Sequence, residues 1–231
     1  MSHAVTAARL HLVTWRSAVI WPWAVLASSF VINWVIQALL DPGSRQQSGT
    51  GGIASLYFVA AWLAYQAVSQ VFPFALGMGV TRKAFAAGTG ALLALQAGLF
   101  AAALTILRYL ESATGGFGVE LNFFRVPGLR QDDPVLQLLV YAAPFLLLGT
   151  LLMGMAVVQH RWRQGGMIWL AIGSVVVVGG LVALITWLAA WHDLWDWFQD
   201  TSALVTLVLI PVALAVALAG AGYRLLLNAT P

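Results

Sequence analysis

Residues Met167–Ala190 read MIWLAIGSVVVVGGLVALITWLAA, a run without a single charged side chain. As a helix this run is about 36 Å long at ~1.5 Å per residue. That crosses a hydrocarbon core of ~30 Å with some tilt. Five more runs of the same kind lie on either side of it: roughly Ser17–Leu40, Ile53–Leu76, Ala84–Leu107, Val135–Val158 and Ser202–Tyr223. All are apolar around the whole circumference, as helices facing lipid must be. The rest of the composition agrees. Of 231 residues, 61% are apolar and only 8% are charged, against about 25% charged in soluble domains. These proportions exclude a soluble domain and a disordered chain. A net charge of +3 spread along the chain makes no basic patch, which excludes a nucleic-acid binder. There is no cysteine, hence no disulfide framework and no thiolate metal site. The expectation is an all-α polytopic membrane protein, a single transmembrane domain over residues 1–231 with six transmembrane helices.

The few charges are sorted between connectors. The segments before the first run and after the second, fourth and sixth hold Arg9, Arg16, Arg82, Lys83, Arg161, Arg163 and Arg224, with no acid. The remaining connectors hold Arg45, Arg108, Arg125 and Arg130 together with all eight acids. Cytoplasmic loops carry the excess of Lys and Arg, so both termini are expected in the cytoplasm. Tryptophans mark the interfaces: Trp15, Trp21, Trp23, Trp162 and Trp169 on the inner side, Trp187, Trp191, Trp195 and Trp197 on the outer. Trp34 and Trp62 lie deeper and are expected to pack. Arg9 and Arg16 before an apolar run imitate a signal peptide, but the run continues through Trp34 and Val35, too long for its apolar region.

The most informative connector is Phe72–Gly88, FPFALGMGVTRKAFAAG. Gly77 and Gly79 open backbone angles closed to other residues, and Thr81 is placed to cap the next helix. Arg82 and Lys83 then sit at a helix start, where the macrodipole disfavours cations. Topogenic charge and a turn account for these residues; so does docking of a cytoplasmic partner. This run resembles the inner loop of permease subunits of type-2 ATP-binding-cassette exporters. The ending GYRLLLNATP resembles the tail of the same family, although a second cation is missing at Leu227 or Asn228. The resemblance implies that the loop is a coupling helix contacting a separate ATPase subunit, with Gly77, Gly79, Thr81, Arg82, Lys83 and Phe85 as coupling residues. It also implies two permease copies, or one copy and a related partner, with ATP and magnesium bound in the partner subunit and no cofactor in this chain.

Other segments fit one plan. Residues 1–16 are expected to form an inner interfacial helix. Trp191, Leu194, Trp195 and Phe198 recur at i, i+3, i+4 and i+7, opposite Asp193, Asp196 and Asp200. This is a short amphipathic helix at the outer interface, between the fifth and sixth spans. His192 and Asp196 are too few ligands for a metal site. The connector over residues 108–134 is the longest outer loop, rich in Gly and Pro turn signals. Alternation at Val119, Leu121 and Phe123 would allow a short strand within it. Inside the spans, Asn33 pairs with Gln37 and Gln66 with Gln70, each four apart on one helix face. Amides in hydrocarbon need partners, so these stripes either glue helices together or line a pathway. Gly149/Gly154, Gly173/Ser174 and Gly179/Gly180 would let helices approach closely.

Several motifs are missing from the sequence. It has no phosphate loop, no H-E-x-x-H and no G-x-S-x-G, and no charged group lies well inside a span. The expectation is therefore not an enzyme. It is a permease subunit of a bacterial exporter in the cell membrane, moving a hydrophobic or amphipathic cargo such as a drug, peptide antibiotic or lipid. A six-span membrane scaffold or assembly factor is the alternative.

Overall fold

The computed structural model describes the backbone of residues 3–40 and 51–227, and the side chains of residues 18–40 and 51–227. The side chains of Arg9, Trp15 and Arg16, the connector residues Asp41 and Arg45, and the last four residues lie outside this description. The described chain is all-helical, with five helices long and apolar enough to cross a membrane. They are α1 (His3–Leu39), α2 (Ala54–Gly77), α3 (Arg82–Ala113), α4 (Pro134–Trp187) and α6 (Leu204–Leu227). A ten-residue helix, α5 (Trp191–Asp200), precedes the last.

The structure redraws three boundaries. First, α1 is continuous from His3, so residues 3–16 prolong the helix of the first span and are not a separate element. Nothing between Ala4 and Ser17 breaks a helix, and Pro22 is accommodated within it. Second, the expected fourth and fifth spans lie in one 54-residue trace, α4, interrupted only at Arg163 with φ 52° and ψ −142°. A Cβ on Gly166 would collide with Trp162 Cβ and press on Val158. In a straight helix residues four apart stand ~5–6 Å from each other at Cβ, so the chain doubles back sharply here. Residues 134–162 and 164–187 are two arms joined by a one-residue hinge in place of the expected connector. Third, α3 continues six residues past the expected end and takes Arg108 and Glu111 into the helix.

That third difference builds one end of the molecule. Glu111 is fully buried, and its carboxyl oxygens accept the backbone N–H groups of Phe123 (2.9 Å), Phe124 (2.7 Å) and Arg125 (3.2 Å). A buried acid is tolerated where such donors replace its water. The bonds pull residues 121–124 inward, so Leu121, Phe123 and Phe124 join Leu26, Leu56, Leu104 and Tyr141 in the larger core. The segment has no strand; its backbone N–H groups go to a side chain instead of a second strand. Tyr141 Oη donates to the Phe124 carbonyl at 2.6 Å, and Tyr57 Oη to the Tyr141 carbonyl at 3.2 Å. Phe30 meets the rings of Phe117, Phe123 and Phe124, and Trp34 Nε1 donates to the Phe117 carbonyl at 3.3 Å. Gly52 and Gly116 are required here. A Cβ on the first would overlap the Phe123 ring, and on the second, with φ +72°, the Leu121 backbone. We call this the loop end.

A smaller core closes the opposite, turn end. Phe72, Ala75, Phe85, Ala156, Val157 and Leu226 pack together there, with the Phe72 and Phe85 rings 5.0 Å apart and His160 edge-on to Phe72 at 5.5 Å. Arg82 Nη1 donates to the carbonyl of Leu227 at 2.8 Å, which fixes the end of α6 beside the start of α3. The first residue of α6 is ~35 Å away at 1.5 Å per residue, so α5 belongs to the loop end and residues 164–187 run between the two.

Gly149 lets Leu93 pack into a space that a Cβ would fill, which joins α3 to the first arm of α4. Gly154 stands where α4 and α6 approach, since a Cβ on Gly222 would lie 3.9 Å from its Cα, whereas nothing lies within 4 Å of a Cβ on Gly173, Gly179 or Gly180. The second arm is exposed along nearly its whole length, with Val175 at 71% and Trp187 at 81%. Trp62, expected to pack, is 54% exposed, and its one ring contact among the described residues is with Tyr65 of its own helix.

Candidate docking turn and the groove beside it

The connector between α2 and α3 is a turn held by both of its flanking helices. Gly79, at φ +83°, ends α2 in the left-handed conformation. Val80 N–H returns to the Ala75 carbonyl at 3.0 Å and Gly79 N–H to the Leu76 carbonyl at 3.0 Å. These two bonds form a Schellman motif, which satisfies carbonyls a helix end otherwise leaves free. Its customary apolar contact is present, since Val80 packs on the cluster that contains Ala75. Thr81 follows at once as the cap of α3, its hydroxyl accepting from Ala84 N–H at 3.2 Å. A wider, π-helical turn at Ala67–Val71 precedes the segment, and Pro73 occupies an early position of the following turn, where its missing N–H costs least.

The residues singled out in this turn divide by environment. Gly77, Gly79, Thr81 and Lys83 are exposed, Arg82 is half-buried and Phe85 is buried. Only Gly79 uses the conformational freedom of glycine; Gly77 is helical. Arg82 is committed to the Leu227 carbonyl, a favourable partner for a cation at a helix C-terminus. The offset to the unfavourable macrodipole of α3 therefore comes from within the chain. Lys83 makes no ion pair among the described residues. The turn also exposes Phe74 (55%) and Met78 (37%), one helical turn apart. In the sequence both look like the tail of a span. The signal was present in the four-residue spacing of an aromatic and a methionine against a glycine pair.

The polar pairs inside the spans do not converge. Asn33 Nδ2 donates to the Ser29 carbonyl of its own helix at 2.8 Å, and Gln37 is buried. Gln66 is half-buried and Gln70 exposed; neither side chain makes a hydrogen bond among the described residues. The helix-joining polar contact near them comes from Tyr65, whose hydroxyl donates to Gln159 Oε1.

In α5, Trp191, Leu194, Trp195 and Phe198 are all about half exposed, and Trp195 stacks on Phe198 at 6.5 Å. Trp191 Nε1 donates to Thr186 Oγ1 at 3.0 Å, anchoring the helix to the preceding arm. His192 and Asp196 stand 3.4 Å apart on the solvent side. Among the described residues no group of three metal-ligating side chains forms.

Beside the turn, α3, the first arm of α4 and α6 enclose a groove of about 540 Å³. Its walls are mostly Ala, Gly, Leu, Val and Met, with Lys83 and Tyr223 at the turn end and Thr89 and Thr150 farther in. The Thr150 hydroxyl is occupied by the Leu146 and Leu147 carbonyls of its own helix. The groove is open because small residues face each other across it. Nothing lies within 4 Å of a Cβ added at Gly90, Gly154 or Gly220.

No known family model, curated protein or solved structure matches this chain.

Proposed function

We propose that this chain is the membrane-spanning permease subunit of a bacterial ATP-binding-cassette exporter, with its turn end in the cytoplasm. The observation that carries the reading is the turn over residues 72–85. It is short, capped on both sides, and tied by Arg82 to the end of α6, while it presents Phe74, Met78 and Lys83 outward. A push on such a turn moves α2, α3 and α6 together, as a coupling element must. Exposed Phe and Met beside a cation are the residue types from which protein interfaces draw their anchors.

In this reading the two arms of α4 are separate spans, which makes six, and the cationic residues Lys83, Arg161, Arg163 and Arg224 share the cytoplasmic end with both termini. Energy comes from a separate ATPase that binds ATP and magnesium, because this chain carries no phosphate loop. The exposed second arm of α4 and the amphipathic α5 face lipid and a second permease copy. The cargo is hydrophobic or amphipathic, a drug, peptide antibiotic or lipid, since no charged side chain lies at mid-membrane depth.

A non-transporting six-span scaffold is favoured by one observation, the internal satisfaction of Arg82 and Asn33. The two readings part on association. Co-expressed with a candidate ATP-binding-cassette ATPase subunit, the tagged chain is expected to retain that ATPase through purification. Lys83→Glu combined with Phe74→Ala is expected to lose it while membrane insertion is unchanged. Equal retention by the wild type and the double variant, or none by either, removes the coupling role.

A further inference from the structure

We propose that the groove between α3, α4 and α6 is a binding site for one anionic phospholipid of the leaflet at the turn end. The proposal rests on the membrane-spanning reading above but not on the exporter assignment. Four observations carry it. The groove encloses about 540 Å³, within the ~300–1,000 Å³ of sites that take small amphiphiles. Its walls are apolar over most of their length, and at Gly90, Gly154 and Gly220 there is room where side chains would otherwise close it. At its turn-end mouth stand Lys83, which has no acidic partner, and Tyr223, whose hydroxyl makes no hydrogen bond among the described residues. Deeper in, Thr89 is only 8% exposed and its hydroxyl is likewise without a partner among the described residues.

These groups match the parts of a phospholipid in order. The Lys83 ammonium and Tyr223 hydroxyl donate to a phosphate, the Thr89 hydroxyl donates to an ester carbonyl, and the apolar length beyond receives an acyl chain. The chain itself gains little on leaving the bilayer, because lipid tails are as apolar as the groove. Selection therefore comes from the headgroup, and a lysine near the membrane surface favours an anionic lipid by about fivefold. Acidic side chains do not compete at the mouth. The groove residues include none, and the described acids outside Glu111 lie on the loop over residues 120–133 and on α5, at the far end.

The test is native mass spectrometry of the purified full chain in detergent with equimolar phosphatidylglycerol and phosphatidylcholine. The wild type is expected to retain one phosphatidylglycerol with about fivefold preference. Lys83→Gln is expected to abolish the preference while keeping binding. Gly154→Leu with Gly220→Leu, which fills open space, is expected to exclude the lipid. Because the chain has no cysteine, Gly220→Cys offers a second readout that does not depend on the double variant folding. Its labelling is expected to be blocked by added phosphatidylglycerol and not by phosphatidylcholine. Equal binding of the two lipids by the wild type, unchanged preference in Lys83→Gln, or disulfide formation of Gly220→Cys with a second copy would overturn the proposal. None of these readouts involves an ATPase, so loss of partner association leaves them intact.

Discussion

The two ends of this molecule solve opposite problems with similar means. At the loop end a glycine makes room that is then filled: Phe123 lies against Gly52, and the Leu121 backbone against Gly116. At the turn end glycines make room that stays open along the groove, at Gly90, Gly154 and Gly220. The charges differ in the same way. Glu111 is buried and bonded to three backbone N–H groups, whereas Lys83 is exposed and unpaired among the described residues. The loop end is filled and its charge satisfied, while the turn end keeps open room and an exposed cation. Glycine content alone does not distinguish the two; what lies opposite each glycine does.

The sharpest way to break this comparison is at Glu111. Glu111→Ala leaves three backbone N–H donors without their acceptor, and should cost about 1–3 kcal/mol for each donor left buried and unpaired. Thermal unfolding in detergent, followed by tryptophan fluorescence, should show a large fall in midpoint. A change within one degree would mean that the loop is held by its aromatic residues alone. Next, Gly116→Ala should destabilise by about 1–3 kcal/mol through overlap and the positive φ, while Gly90→Ala should stabilise by a few tenths to about 1 kcal/mol through helix propensity. Equal effects at both sites would erase the distinction between filled and open room.

At the hinge of α4, Arg163 holds a positive φ that glycine adopts at less cost. Arg163→Gly should raise stability by about 1 kcal/mol, and a destabilised variant would show that the arginine side chain holds the hinge. The smallest effect is expected for Arg82→Ala. Loss of the cation from the last carbonyl of α6 should cost about 0.3–1 kcal/mol, visible as faster amide exchange over residues 223–227 with the rest of the protein unchanged.

Much of the helical plan is legible in the sequence, because a run such as Met167–Ala190 has one physical solution in hydrocarbon. The caps at Gly79 and Thr81 are legible for a similar reason: their residue types have few other uses at a helix end. The filled loop end is not. Arg108-Tyr109-Leu110-Glu111 reads as the start of a polar connector, since counting apolar residues stops at the first charge. Yet nothing breaks the helix until Gly115. The partners of Glu111 lie 12 to 14 residues onward and are backbone groups, which carry no sequence signal. Arg163 is hidden for a different reason. Gly165 and Gly166 shortly after it are the obvious breakers, but the chain turns two residues before the first of them, and Gly166 lies against Val158 and Trp162. Arg82 looked like a surface contact from its spacing, and only the meeting of α3 with the end of α6 shows it engaged.

The central claim is that the turn over residues 72–85 is where a cytoplasmic ATPase docks. Since the chain contains no cysteine, a single Met78→Cys in membranes co-expressing the ATPase tests it directly, with Gly128→Cys at the other end as the control. The account predicts a disulfide or short-linker cross-link from Met78→Cys to the ATPase and none from Gly128→Cys. Cross-linking from Gly128→Cys alone, or from neither position while the two proteins co-purify, would contradict it.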